Sequence, residues 1–306
     1  MSGADQTALV FPGQGSQRVG MARDFHEEFA VARDAFADAS AACGVDLAEI
    51  SFGDQERLDL TEFTQPCILT AEIAMLRVLA AERGLEAGWF AGHSLGEYTA
   101  LVAAGVLPLG EAARLVRRRG ALMQRAVPAG DGAMLAVIGR GLELAELRAA
   151  LEGLEVDAAN HNSSSQIVVS GSAAGVAEAK QRLAGKGRRL VPLNVSAPFH
   201  SRWMREVEKE FAPELAAATL DAARAPRVAS NYTGLFHAAD PAAVRDALVR
   251  QISGTVRWVD NMRALTERAT RIVEIGPGKP LSGFFKDLGV AVEAITDLAG
   301  AREAAS

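Results

Sequence analysis

Gly88-Trp89-Phe90-Ala91 is a short apolar stretch, and Gly92-His93-Ser94-Leu95-Gly96 follows it at once. A helical run, Leu95 to Ala104, comes next. A G-x-S-x-G turn between a strand and a helix is a nucleophile elbow. The serine must stand on a tight turn with its hydroxyl exposed. The flanking glycines remove side chains that would clash across that turn. The helix N-terminus behind it offers unpaired N–H groups to developing negative charge, and the N–H of Leu95 would supply half of an oxyanion hole. An ordinary strand-to-helix turn with two glycines reads the same over these five residues; the strand and helix flanks favour a nucleophile.

Outward from the elbow, the chain alternates strands and helices. Thr7 to Phe11 reads as a buried strand closed by Pro-Gly-Gln-Gly. Gln65 to Arg83 reads as a helix capped by Gly84, and Leu109 to Ala126 as another. The rhythm changes at Asp131. Strands at Ala133–Ile138, Val156–Ala159, Gln166–Ser170 and Arg188–Val195 are interleaved with helices at Leu142–Leu151 and Ala173–Leu183. This is the β-α-β-β-α-β order of a ferredoxin-like unit. Afterwards helices are expected at Ser201–Ala218, Pro241–Ser253 and Trp258–Ala269, and strands at Arg227–Ser230, Arg271–Ile275 and Val290–Ile295. The expected fold is α/β: a large α/β-hydrolase-like domain, residues 1–130 and 198–306, with helices on a mostly parallel sheet. A small ferredoxin-like domain, residues 131–197, is inserted in it.

The 306 residues are 49% hydrophobic, 23% charged and carry a net charge of -6. That composition is globular, and the acidic balance argues against nucleic-acid binding. The two cysteines, Cys43 and Cys67, form no CxxC or Cys/His cluster, so neither a disulfide framework nor a metal site is expected. No basic start precedes an apolar run at the N-terminus. No segment reaches the roughly 18 uninterrupted apolar residues of a membrane span. The expectation is a cytoplasmic protein.

The residues around the serine, Ala91 to Tyr98, resemble the active-site stretch of malonyl-CoA:acyl carrier protein transacylases, in the acyltransferase family of fatty acid and polyketide synthesis. The resemblance extends over Phe11-Pro12-Gly13-Gln14-Gly15-Ser16-Gln17, Thr64-Gln65-Pro66, Asn162-Ser163 with Gln166 to Gly171, Ala197-Pro198-Phe199-His200-Ser201, and Glu274-Ile275-Gly276-Pro277-Gly278-Lys279. These landmarks fall in the family's order from residue 11 to about 285.

A serine nucleophile needs a base. Of the five histidines, His93 lies within the elbow and should point away from Ser94, while His26 and His161 sit in polar settings. By resemblance His200 is the base, oriented by backbone carbonyls in the Gln251 segment rather than by a carboxylate. The resemblance also makes the N–H of Gln14 the second oxyanion donor. It makes Arg119, before Gly120, the reader of the malonyl carboxylate, with Met123 and Phe199 beside the substrate. A planar guanidinium can grip a carboxylate through two parallel hydrogen bonds. A ring at Phe199 should crowd a branched α-carbon. Arg117 and Arg118 read as a solvated helix face. Gly276-Pro277-Gly278-Lys279 lacks the full phosphate-loop pattern and reads as a helix cap.

The implied reaction is ping-pong malonyl transfer from malonyl-CoA through acyl-Ser94 to the phosphopantetheine thiol of an acyl carrier protein, with no bound metal or cofactor. The implied partners are a coenzyme A thioester and the carrier protein, and the implied state is a monomer. Lys186, Arg188, Arg189, Arg202 and Arg205 are candidate docking cations for an acidic carrier protein. The rival readings are a trans-acting polyketide acyltransferase with another dicarboxylic extender, an acyl-thioester hydrolase, and a non-catalytic carrier-binding scaffold.

Overall fold

Five consecutive buried residues, Thr7–Phe11, form β1. A strand buried on both faces belongs in the middle of a parallel sheet, and β1 lies there. The computed structural model describes residues 3–128, 130–185, 187–195 and 197–303. β2 is Trp89–Gly92, β7 is Arg271–Ile275 and β8 is Val292–Ile295. The sheet order is β2-β1-β7-β8, all parallel. Phe11 is in register with Gly92, and Val10 with Glu274, so the strands release their following loops at one edge. Parallel sheets bind ligands beyond the carboxyl ends of their strands.

Helices Ala30–Cys43, Thr61–Arg83 and Leu109–Arg125 pack together on one side of this sheet. Thr61–Arg83 is long and apolar enough to cross a membrane, but 78% of that stretch is buried within the protein. It begins four residues before the expected start, because Pro66 is tolerated inside it. Gly84 closes it in the left-handed conformation at φ 59°, as the sequence suggests.

The second sheet takes β3 (Gly132–Ile138), β4 (Val156–Ser163), β5 (Gln166–Ser172) and β6 (Arg189–Pro192) in the order β4-β5-β3-β6. Every pairing is antiparallel. With helices Leu144–Ala150 and Ala173–Leu183 this is the ferredoxin-like arrangement. Side chains alternate across it. Leu135, Val137, Ile167 and Val169 pack with Leu147 and Val176 from its own two helices. Met134, Ala136, Val168 and Val191 turn the other way, into the cleft beneath the large sheet. β4 runs on past Ala159 through polar residues, with irregularities at Ala158/Asn160 and His161/Ser163. There His161 N–H donates to Val256 O at 2.9 Å and Val256 N–H to Ala159 O at 2.8 Å, tying this edge to the rest of the chain.

The strand expected at Arg227–Ser230 does not form. Pro226 closes a 3-10 turn, Ala222–Arg227. Beyond it Val228 makes one isolated bridge to Phe90, and Ala229 one to Phe236. The short helices Arg23–Glu28, Leu47–Gly53 and Gln55–Leu58 fill a region where apolar periodicity is too brief to read.

The elbow glycines answer to backbone contacts. A Cβ on Gly92 would meet the carbonyl carbon and oxygen of Gly96 at 1.9 Å, and one on Gly96 would meet Phe11 O at 2.2 Å. Backbone cannot yield as a flexible side chain would. Gly96→Ala should therefore cost about 1–3 kcal/mol of folding stability, read as a lower denaturation midpoint in urea. An unchanged midpoint would contradict this packing.

Candidate active site

Ser94 sits between β2 and the helix Gly96–Ala103, in the left-handed conformation at φ 53°. Its N–H donates to Asn231 Oδ1 at 2.6 Å. His200 also has a left-handed backbone, at φ 56°. Strained backbone of this kind costs on the order of 1–3 kcal/mol per residue and concentrates at functional sites. Ser94 Oγ lies 2.7 Å from His200 Nε2, and His200 Nδ1 lies 2.8 Å from Gln251 O. The carbonyl can only accept, so Nδ1 carries the proton and Nε2 is free to take one from the serine. Burial, and then the nearby Arg119 cation, push His200 down to about 3. The ring is therefore neutral at neutral pH.

Arg119 is 1% exposed. Nη1 donates to Gln65 Oε1 at 2.9 Å; Nη2 donates to Gln251 Oε1 at 2.9 Å and to Ser94 Oγ at 3.1 Å. Its guanidinium carbon is 5.7 Å from the centre of the Tyr98 ring. Nε has no hydrogen-bond partner among the described residues. Burial lowers its pKa from the usual arginine range, opposed by Tyr98 and Glu97. All of its direct hydrogen-bond partners named here are neutral oxygens, an arrangement suited to an incoming anion.

A cleft of about 400 Å³ opens between the two sheets. Its walls bring together Gln14, Leu95, Ser94, Arg119, His200 and Phe199, with Met123. Met123 Sδ lies 3.9 Å from Gln65 Nε2. The Gln14 side chain is held aside, donating to Thr61 Oγ1 at 3.1 Å. Leu95 lies at the N-terminal end of its helix, where amides lack intrahelical acceptors. Seven of the residues expected from sequence line this cleft; the eighth, Gln251, lies outside its wall and reaches it through Arg119 and His200. The Gly276–Lys279 turn leads into the helix Pro280–Phe285, which Glu274 caps through the N–H groups of Leu281 and Ser282.

Sequence reasoning assigned no role to several groups that the fold adds. Gln65 holds Arg119. Glu97, Asn231, Asn261 and His237 form a buried polar layer under the elbow: His237 Nε2 is 2.8 Å from Glu97 Oε1, and Asn231 Nδ2 donates to Gly92 O and Asn261 Oδ1. The only sequence signal is a polar residue in an apolar setting. His93 does point away from Ser94; its Nε2 lies 2.8 Å from Asn162 Oδ1, on the insertion. The cysteines offer no rival nucleophile, since burial pushes Cys43 up to about 11 and Cys67 up to about 12.

Among the candidate docking cations, Arg202 is clasped by Asp157 and Arg188 pairs with Glu146 at 3.3 Å. Arg189 is on the cleft wall and Arg205 is exposed. Lys186 lies outside the described residues. Arg117 and Arg118 are not freely solvated: they bind Glu62 and Glu214.

The profile of the acyl transferase domain matches residues 8–279. The malonyl CoA-acyl carrier protein transacylase of Escherichia coli strain K12 is 42% identical over 288 residues, covering 92% of each chain. That of Bacillus subtilis strain 168 is 38% identical, covering 94% of this chain and 92% of its own. A solved malonyl-CoA:acyl carrier protein transacylase from Xanthomonas oryzae superposes with a TM-score of 0.91 at 43% identity, over 98% of this chain and 97% of that one. A malonyl-transacylase solved with its type II polyketide synthase acyl-carrier protein gives 0.90 at 37% identity, over 98% of both chains. The domain match over residues 8–279 and these relatives, at 37–43% identity over more than nine-tenths of the chain, mean that it belongs to the acyltransferase family that includes the malonyl-CoA:acyl carrier protein transacylases.

Proposed function

We propose that the chain transfers a malonyl group from malonyl-CoA to the phosphopantetheine thiol of an acyl carrier protein. The observation that carries this reading is the buried Arg119 guanidinium, 3.1 Å from the Ser94 hydroxyl. An uncharged acyl group has no use for a cation there; an acyl group ending in a carboxylate does.

His200 takes the proton from Ser94 Oγ as the oxygen attacks the thioester carbon. The N–H groups of Gln14 and Leu95 receive the oxyanion. The tetrahedral intermediate collapses, the C–S bond breaks, and the leaving thiolate takes the proton from His200. Malonyl-Ser94 remains, its carboxylate on Arg119. The carrier protein's thiol then repeats the steps in reverse order: it gives its proton to His200, attacks the ester, and releases Ser94. Phe199 crowds a branch at the α-carbon, which favours malonyl over methylmalonyl. Among the described candidates the docking surface for an acidic carrier protein centres on Arg189 and Arg205, because Arg188 and Arg202 are paired with Glu146 and Asp157; Lys186 stays a candidate beside them. We take residues 1–130 with 198–306 as the catalytic unit and 131–197 as the insertion that closes over it.

Intact-protein mass spectrometry after brief exposure to malonyl-CoA, methylmalonyl-CoA and acetyl-CoA tests this. The wild type should gain a malonyl adduct, Ser94→Ala none, and Arg119→Ala should shift toward acetyl. Release of coenzyme A with no adduct from any thioester would replace the transferase with a hydrolase.

The pH profile gives a second test. His200 falls from 6.5 to about 3 on folding, so between those values the unfolded chain binds the extra proton. The folded state therefore loses stability as pH falls through this window, but its base stays unprotonated. The kcat/KM for Ser94 acylation, which reports the free enzyme, should have no acid limb centred at 6.5. A midpoint at or above 6.5 would contradict the burial of His200 beside Arg119.

A further inference from the structure

Gln251 meets three groups with its side-chain amide. Nε2 donates to Ser94 O at 2.9 Å and to Glu97 Oε2 at 2.7 Å, while Oε1 accepts from Arg119 Nη2 at 2.9 Å. A carboxylate and a carbonyl can only accept, and a guanidinium can only donate. One orientation of the amide therefore satisfies all three. Flipped, it would set an oxygen against two oxygens and an NH2 against a cation.

Glu97 is itself immobilised. It is fully buried in the first turn of the elbow helix. Besides Gln251, its Oε2 accepts from Asn231 N–H at 3.0 Å, and its Oε1 lies 2.8 Å from His237 Nε2. The same Gln251 offers its backbone oxygen to His200 Nδ1 at 2.8 Å. A group that never reaches the cleft thus bears on the residue that touches both the base and the arginine.

We propose that Glu97 is a positioning residue for selection of an anionic acyl group: by fixing the Gln251 amide it sets where the Arg119 guanidinium lies relative to Ser94. This rests on reading Arg119 as the acyl-selecting cation. Two substitutions separate geometry from charge. Glu97→Gln keeps an acceptor at the same reach without the charge; Glu97→Asp keeps the charge but withdraws the acceptor by one bond.

The measurement is Ser94 acylation from mixed malonyl-CoA and acetyl-CoA, followed by intact mass, with thermal unfolding run beside it. Glu97→Gln should hold the malonyl preference within about threefold of wild type, and Glu97→Asp should lose about tenfold or more of it. An equal loss toward both thioesters in Glu97→Asp would mark a merely structural residue and overturn the proposal. So would loss of preference in Glu97→Gln with retention in Glu97→Asp, which would assign the effect to charge. If Glu97→Asp does not fold, Glu97→Met takes its place, since it removes the acceptor that fixes the Gln251 amide and leaves Gln251, with its contacts to Arg119 and His200, in the chain. The same loss of preference there supports the proposal, and retention overturns it. A wild type that takes no malonyl adduct would defeat the transferase reading instead; a normal wild type and Arg119→Ala beside an unchanged Glu97→Asp defeats only this inference.

Discussion

The approach of Gly96 to the carbonyl oxygen of Phe11 is the contact on which the site is assembled. It seats the start of the elbow helix directly on the end of β1. The loop after β1, which carries Gln14, and the turn after β2, which carries Ser94, then open onto the same space. Parallel strands in register make this possible, because they end at one level and aim their loops one way. The insertion faces that edge with one side of its antiparallel sheet while its own helices cover the other. The cleft wall is thus partly a sheet face, firmer than a loop would be.

Within that frame, a buried cation sets the electrostatics of the cleft. Removing a cation from water is costly unless compensating groups are built around it. Arg119 is met by a glutamine oxygen on either side, a tyrosine ring and the nucleophile itself. Amide dipoles hold the cation without neutralising it. His200 feels the same charge, which is one reason its ring stays unprotonated. His200 and Arg119 are coupled because both lean on Gln251, one on its main chain and one on its side chain.

Much of this was legible in the sequence for definite reasons. Ser94 announces itself through two glycines at fixed spacing, each answering to a backbone contact. The β-α-β-β-α-β order could be read because Ala133–Ile138 is an unbroken apolar run and Gln166–Ser170 carries another at Ile167-Val168-Val169. The residue roles of Arg119, His200 and Gln251 came from resemblance; no local pattern marks an arginine as buried rather than solvated. Gln65, Asn231, Asn261 and His237 escaped notice because their function is created by long-range contact. Gln65 and Arg119 are on different helices, and Asn231 follows a strand-like run that pairs only through single bridges. Periodicity reports what lies on one element, not what faces it.

Ser94 and His200, whose Oγ and Nε2 lie 2.7 Å apart, both occupy backbone conformations that glycine would adopt without strain. Glycine at either position would ease the chain and end the chemistry. Ala22 shares this conformation at φ 56°, but among these three only Ser94 and His200 bring side chains to the cleft. Those two side chains persist because the surrounding packing is strong enough to hold the chain where it would not settle by itself.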